Sequence, residues 1–214
     1  MTRLLVVARA PVPGEAKTRL ARVVGDEVAA GLAAAALLDT LEACAATAGA
    51  ADCVLALHGD LARASDGAGL QDALAGWAVV PQHGDGLAER LVHAHADAGP
   101  GAVLQVGMDT PQVTPALLAE VCAGLAGHDA VLGPAEDGGW WVLALRDPAH
   151  AAALAGVPMS TPETYAATRA ALEARGLRVG TAPTLRDVDT AADAEAVART
   201  APGTRFARRW EASP

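Results

Sequence analysis

Short apolar runs alternate with amphipathic segments along the whole chain, and this alternation limits the folds that the chain can adopt. Each run has the length of a buried strand and ends at a polar or glycine-containing loop. The runs cover residues 4–8, 52–57, 77–80, 102–106, 130–132, 140–145 and 177–179. Strands that alternate with helices predict an α/β domain, in which a mostly parallel, mixed sheet forms the middle of three α/β/α layers.

Between these runs, apolar residues at helical spacing predict helices, and small polar residues mark their first turns. The predicted starts are Asp26 and Asp85 as N-caps, Thr114 before Pro115, Ser160 with Glu163 as a capping box, and the segment after Thr190. No internal repeat or linker interrupts the pattern. We therefore predict a single domain over residues 1–200.

The composition fits a folded domain of this length. Of the 214 residues, 52% are hydrophobic and 19% are charged, which excludes a disordered chain. Residues 201–214 hold three arginines and one glutamate, and we predict that they form a solvated basic tail. No apolar run reaches the roughly 20 residues of a membrane span, and the first run is too short for a signal peptide. We expect a cytoplasmic protein.

The charge of the chain is unevenly distributed. The formal net charge is −9, yet residues 1–25 hold five basic side chains against the single carboxylate of Glu15. Lys17 is the only lysine, and every other member of the 16 basic residues is arginine. An acidic chain with a basic first loop favours a small anionic ligand over a nucleic-acid polymer.

The loop after the first predicted strand carries this positive charge. Pro13 and Gly14 impose a turn, and Lys17 and Arg19 follow it. The loop lacks both the Walker A pattern and the dinucleotide-binding Gly-x-Gly-x-x-Gly. Two cations at the end of a strand can still bind a di- or triphosphate. We therefore favour a phosphate site over the alternative, a solvated basic turn.

Aspartates follow two other predicted strands. Asp109 lies in a turn directly after the fourth strand, and Asp187 and Asp189 lie in a turn after the last one. Mg²⁺ prefers carboxylate oxygens and retains waters and substrate phosphates, so one or two aspartates suffice. Asp109 alone has helix capping as an equal alternative. The two turns together favour a metal site.

A fourth polar turn, Asp137-Gly138-Gly139, follows the fifth predicted strand. The glycines would let a ligand approach the backbone closely, although a plain turn between two strands has the same composition. Trp140 and Trp141 lie on opposite faces of the next strand, so one is expected in the core and the other at a cleft. Carboxyl ends of parallel strands meet at one edge of a sheet, where we expect all these turns to converge.

Together these motifs resemble a family of bacterial glycosyltransferase-A-like transferases, often labelled glycosyltransferase or radical-SAM/selenodomain-associated transferase. The matching segments run in order through nearly the whole chain, at residues 10–14, 17–20, 86–90, 107–111, 132–140, 160–163 and 187–190. A more distant likeness is to the 2-phospholactate and molybdenum-cofactor guanylyltransferases, through residues 17–20, 109–111 and 187–190. Ala191 stands where those enzymes have proline, and Trp140 stands where the first family commonly has tyrosine.

The resemblance implies a Rossmann-like nucleotide-diphospho-sugar transferase fold with a Mg²⁺ or Mn²⁺ site. The metal ligands would be Asp109 and Asp189, with Asp187 as a further candidate. We assign nucleotide binding to Pro13, Gly14, Lys17, Arg19, Gly84, Gly86 and Arg90. An acceptor pocket is assigned to Asp137, Gly138, Gly139 and Trp140, and the catalytic residues are Lys17, Arg19 and Asp109.

Two enzymatic reactions suit such a site. We favour nucleotidyl transfer from a nucleoside triphosphate to a small phosphorylated or acidic acceptor, because Lys17 and Arg19 would hold the extra phosphate charge. Glycosyl transfer from a nucleotide-sugar is the alternative, and the usual label of the family favours it. A nucleotide-binding sensor without catalysis is a second alternative. The sequence leaves open the base, the acceptor and the presence of a homodimer.

Overall fold

The structure, a computed structural model, describes residues 2–213 and contains one sheet of seven strands. The strands are β1 Arg3–Arg9, β2 Cys53–His58, β3 Ala78–Pro81, β4 Val103–Gly107, β5 Ala130–Pro134, β6 Trp140–Leu145 and β7 Val179–Thr181. Their order in the sheet is β3-β2-β1-β4-β6-β5-β7. Only β6 pairs antiparallel with its neighbours, so the prediction of a mostly parallel, mixed sheet is confirmed.

Helices pack on both faces of the sheet and complete the three layers. They are α1 Thr18–Val24, α2 Asp26–Ala48, α3 Gly67–Ala73, α4 Gly86–Asp97, α5 Pro115–Gly124, α6 Thr164–Glu173, α7 Ala191–Thr200 and α8 Arg205–Glu211. Short 3-10 helices cover Ala50–Asp52, Leu61–Arg63 and Pro148–Gly156. All seven predicted strands are present, and β7 is displaced by two residues toward the C-terminus.

Two predicted helix caps are wrong. Asp26 is the first residue of α2 rather than its N-cap, which is Gly25. Ser160 does not begin a capping box, because its backbone has a φ of 59° and α6 begins only at Thr164. A capping box does form at α7, where Thr190 and Asp193 bond each other's backbone amides.

Helix α2 is apolar around most of its circumference because protein covers it on two sides. One side packs Ala33, Leu37 and Leu41 toward the sheet, and the other packs Leu32 toward α8.

By length and composition alone, helix α2 could cross a membrane, since an 18-residue window has a mean hydropathy of 1.6. Its uninterrupted apolar run covers only residues 28–38, so the prediction from such runs did not identify this helix. In the fold, 72% of that window is buried, as in a core helix.

The C-terminal residues differ from the predicted solvated tail. Residues 205–211 form α8, which packs on α2 and buries Phe206 to 1% exposure. The backbone amides of Arg205 and Phe206 each donate to the Asp39 carboxylate of α2 at 2.9 Å. The three arginines of α8 are exposed, whereas Phe206 and Ala207 are buried. The segment therefore has a largely polar sequence although it packs on the core. Pro214 lies outside the described residues.

Replacement of Phe206 tests whether α8 belongs to the folded core. We expect Phe206→Ala to lower the free energy of unfolding by about 3–5 kcal/mol, because it removes a fully buried aromatic side chain. The control is Arg208→Ala on the exposed face of the same helix, for which we expect a change within about 0.5 kcal/mol. Chemical denaturation measures both values. Equal stability of F206A and the unmodified protein would contradict the observed packing.

Candidate functional site

The strand order reverses between β1 and β4, and a cleft opens at the carboxyl ends of these two strands. The chain leaves β1 toward β2 on one side, whereas β4 lies on the other side. In open α/β sheets such a reversal separates the loops and leaves a crevice for a ligand. Because β6 is antiparallel, it begins at this same edge with Trp140.

Two adjoining cavities make up the cleft. The larger has a volume of about 350 Å³ and the smaller about 300 Å³. Arg9, Met108 and Asp109 line both cavities, so the two lie side by side. Lys17, Arg19 and Asp189 line the smaller cavity only. The loops after β1, β4 and β7 therefore meet there.

The ammonium of Lys17 lies between two carboxylates. Its Nζ is 2.7 Å from Oδ1 of Asp109 and 3.0 Å from Oδ1 of Asp189. Arg19 adds a longer contact, at 3.4 Å from Oδ2 of Asp189. The side chain of Lys17 is 10% exposed, whereas that of Arg19 is 73% exposed. Three predicted site segments thus converge on one enclosed cation.

Main-chain geometry holds these side chains in place. The backbone amide of Val188 donates to the carbonyl of Asp109 at 2.8 Å, which ties the turn after β4 to the segment before α7. Lys17 precedes α1 with a φ of 50°, in the left-handed region that non-glycine residues seldom adopt. Such strain, of about 1 kcal/mol or more, is typical of functional sites.

The charges around Lys17 keep it protonated. Burial favours the neutral amine, but the charges and hydrogen bonds of Asp109 and Asp189 outweigh burial, so the pKa of Lys17 is raised. Asp187 lies outside both cavity linings. Burial, reinforced by the nearby charge of Asp137, raises the pKa of Asp187 to about 6. Asp187 and Asp189 therefore have different surroundings, although they are two residues apart.

The site fits a hard divalent cation. Asp109 and Asp189 already converge on a single positive charge, with carboxylate oxygens of the type that Mg²⁺ and Mn²⁺ prefer. Within residues 2–213, no group of three or more His, Cys, Asp or Glu side chains converges on one point. A metal at this position would take its other ligands from water and substrate phosphate, which is the usual arrangement for Mg²⁺.

The far wall of the larger cavity is formed by the turn after β5. Asp137, Gly139 and Trp140 line this wall, and the indole of Trp140 donates to the hydroxyl of Thr168 at 3.1 Å. Gly138 does not line the cavity, and a side chain there would collide with the carbonyl of Pro162. The amide of Tyr165 donates to the carbonyl of Gly138 at 2.9 Å. The turn is thereby fixed against the first turn of α6 and the residues directly before it.

The predicted site residues divide into two groups by position. Those that line the cleft are Lys17, Arg19, Arg90, Asp109, Asp137, Gly139, Trp140 and Asp189. The others, Pro13, Gly14, Gly84, Gly86, Gly138 and Asp187, shape or flank the loops without lining either cavity. Lys17 contacts carboxylates in this structure, whereas the sequence predicts that it binds phosphates.

Sequence reasoning missed polar residues at the base of the cleft. Arg9 lines both cavities, and Gln82 and Gln105 line the larger one. The Gln82 amide donates to the carbonyls of Ala8 and Ala56, each at 2.8 Å. Gln105 is 3% exposed. Its position as the one polar residue within an apolar strand was the available signal.

Comparison with known proteins places the chain among nucleotide-using transferase folds. A sequence profile of the family described as "Uncharacterized protein conserved in bacteria (DUF2064)" matches residues 40–161. No curated protein matches the sequence. A candidate nucleotide-diphospho-sugar transferase from Desulfovibrio desulfuricans G20 has a similar structure, with a TM-score of 0.82 and 28% identity over 99% of this chain and 94% of that one.

Two more distant structures share the fold. A CMP:2-keto-3-deoxy-manno-octonic acid synthetase in complex with CTP has a TM-score of 0.58 and 14% identity, over 94% of this chain and 99% of that one. Rv0371c from Mycobacterium tuberculosis H37Rv, in complex with manganese, has a TM-score of 0.53 and 18% identity, over 92% and 98%. The nucleotide-diphospho-sugar transferase fold implied by the sequence motifs is therefore confirmed.

A buried histidine beside the cleft makes the stability of the fold depend on pH. His95 of α4 contacts Oε1 of Gln105 at 2.9 Å and is fully buried. Burial lowers its pKa from the ordinary 6.5 to about 4, although the contact with Gln105 opposes this shift. Between these values the unfolded chain binds more protons than the folded one. The free energy of unfolding therefore falls as the pH falls from 6.5 to 4.

Substitution of His95 should remove this dependence. We expect the unmodified protein to lose about 2–4 kcal/mol more stability than His95→Asn between pH 7 and pH 4. Urea denaturation at a series of pH values gives the slope of the free energy of unfolding against pH. The control is His128→Asn, which replaces a half-buried histidine on another part of the surface. Identical slopes for H95N and the unmodified protein would show that His95 does not titrate in this way.

Proposed function

The chain belongs to the DUF2064 family, and we propose that it is a metal-dependent transferase that acts on a nucleotide substrate. The convergence of Asp109 and Asp189 on one cation, beside an open cleft of about 350 Å³, carries this proposal. Among the two reactions open to such a site, we propose nucleotidyl transfer from a nucleoside triphosphate to a small phosphorylated or acidic acceptor.

Each wall of the cleft has a part in this reaction. Lys17 and Arg19 bind the β- and γ-phosphates of the donor, and Asp109 and Asp189 hold a Mg²⁺ or Mn²⁺ ion. When bound, that ion neutralises negative charge on the phosphates. Asp137, Gly139 and Trp140 border the acceptor, and they hold it in line with the α-phosphate by position rather than by covalent chemistry.

The distribution of charge favours a triphosphate donor. Arg9, Lys17 and Arg19 all line the smaller cavity, which is next to the two metal-binding candidates. Glu15, Asp109 and Asp189 line the same cavity, and a divalent ion on the two aspartates would compensate most of their charge. The three cations would then be available for phosphate oxygens, of which a triphosphate offers more than a diphosphate-linked sugar does. The structures in complex with CTP and with manganese are consistent with a metal and a nucleotide in this fold.

Glycosyl transfer from a nucleotide-sugar is the second candidate. The Desulfovibrio desulfuricans protein, 28% identical to this chain, is described as a candidate nucleotide-diphospho-sugar transferase. The larger cavity could accommodate a sugar beside Trp140, since sugar rings pack on aromatic faces. The two candidates differ in their products.

Three inferences from the sequence stay predictions. They are the likeness to radical-SAM-associated transferases, the likeness to guanylyltransferases, and the cytoplasmic location.

Removal of one carboxylate tests the proposed metal site. We expect Asp109→Asn to lower turnover at least about 100-fold without changing the fold, because the metal contributes several kcal/mol to charge stabilisation in such reactions. Asp72→Asn, at an exposed position of α3 remote from the cleft, should retain full turnover. The assay measures release of pyrophosphate from each nucleoside triphosphate with Mg²⁺ or Mn²⁺ and a panel of sugar phosphates and hydroxy acids.

The products distinguish the proposed reaction from its alternatives. Metal-dependent pyrophosphate release supports nucleotidyl transfer. Consumption of a nucleotide-sugar without pyrophosphate would instead establish glycosyl transfer. Nucleotide binding with neither reaction would establish a sensor. Activity of D109N equal to that of D72N would exclude Asp109 from the metal site.

A further inference from the structure

The Lys17 ammonium takes the place that a metal ion would occupy between the two carboxylates. It contacts Oδ1 of both Asp109 and Asp189, while the other oxygen of Asp189 faces Arg19. Both oxygens of Asp189 therefore have cationic partners already. A divalent ion bound to the same oxygens would lie at about 2.0–2.1 Å from each, within the space that Nζ now fills.

We propose that Lys17 is an exchangeable internal cation, which keeps the metal site closed until the phosphates of the donor nucleotide draw its ammonium away. This proposal rests on the proposed function, because it concerns the same metal and the same donor. It makes the binding of metal and nucleotide mutually dependent: the phosphates accept the ammonium, and the two aspartates are then open to the metal.

Electrostatics favours this exchange over simultaneous binding. An ammonium and a divalent ion in contact with the same oxygens would repel each other strongly at a site where the lysine side chain is only 10% exposed. The two aspartates without any cation would also repel each other. In the free protein the chain itself supplies the positive group that reduces this repulsion, the ammonium of Lys17.

The structure provides a route for the exchange. Lys17 lines the smaller cavity together with Thr18 and Arg19, so the ammonium has open space beside it. The backbone amide of Ala21 donates a hydrogen bond to the carbonyl of Lys17 at 2.8 Å, which fixes the main chain of Lys17 at the start of α1. Rotation of the side chain alone can therefore move Nζ from the carboxylates to a phosphate.

Metal binding to the protein without nucleotide tests the proposal. The probe is Mn²⁺ alone, with free ion measured by electron paramagnetic resonance. We expect Lys17→Met to bind Mn²⁺ about tenfold or more tightly than the unmodified protein, because the competing ammonium is gone. Arg22→Met is the matched control, since it removes the same charge from an exposed position of α1. The double variant K17M/D109N should lose the tight binding.

A second measurement uses the unmodified protein and does not depend on the stability of a variant. Because Lys17 is the only lysine, selective ¹⁵N-lysine labelling gives a single side-chain nitrogen signal in the NMR spectrum. We expect Mg²⁺ with inorganic tripolyphosphate to shift this signal, and to do so at a lower Mg²⁺ concentration than Mg²⁺ alone. In D109N the effect of Mg²⁺ should be lost.

The outcomes separate this inference from the proposed function. Equal Mn²⁺ affinity of K17M and R22M overturns the exchange, as does a Lys17 signal that stays unchanged while Mg²⁺ binds. Absence of Mn²⁺ binding in every variant overturns both the exchange and the metal site. Observed exchange without any transfer of nucleotide or sugar supports this inference while it contradicts the proposed function.

Discussion

The ion pairs of Lys17 with Asp109 and Asp189 connect three parts of the chain that are distant in sequence. They join the loop after β1 to the turn after β4 and to the segment before α7. If the ammonium is removed, the carboxylates of Asp109 and Asp189, which are 41% and 40% exposed, face each other with only solvent to screen their repulsion. The arrangement of the cleft therefore depends on a positive charge at this point, from the lysine or from a metal.

The sheet makes this meeting possible. Because β1 and β4 are parallel neighbours at the point where the strand order reverses, their following loops diverge and leave a cleft. The antiparallel β6 brings Trp140 to the same edge, opposite the charged loop. The hydrogen bond from the amide of Val188 to the carbonyl of Asp109 then brings the segment that holds Asp189 into contact with the turn that holds Asp109.

Local patterns sufficed for the strands and the loops but not for the pairings between distant segments. The central strands β1, β2, β4, β5 and β6 are buried and therefore apolar on both faces, so they could be recognised directly from the sequence. The tail was misjudged because the partner of the Phe206 amide, Asp39, lies 167 residues earlier. Likewise, Lys17 and Asp189 are 172 residues apart. The sequence assigned Lys17 and Asp189 to the site separately, the lysine as a phosphate ligand and the aspartate as a metal ligand. No local pattern shows that the two side chains contact each other.

Anomalous diffraction from crystals grown with Mn²⁺ and a nucleoside triphosphate tests the central claim most directly, because it locates the metal and Lys17 in a single experiment. We expect one strong manganese peak at ligand distance from both Asp109 and Asp189, with Nζ of Lys17 within hydrogen-bond distance of a phosphate oxygen. A manganese peak elsewhere in the cleft, with Lys17 still between the two carboxylates, would contradict it.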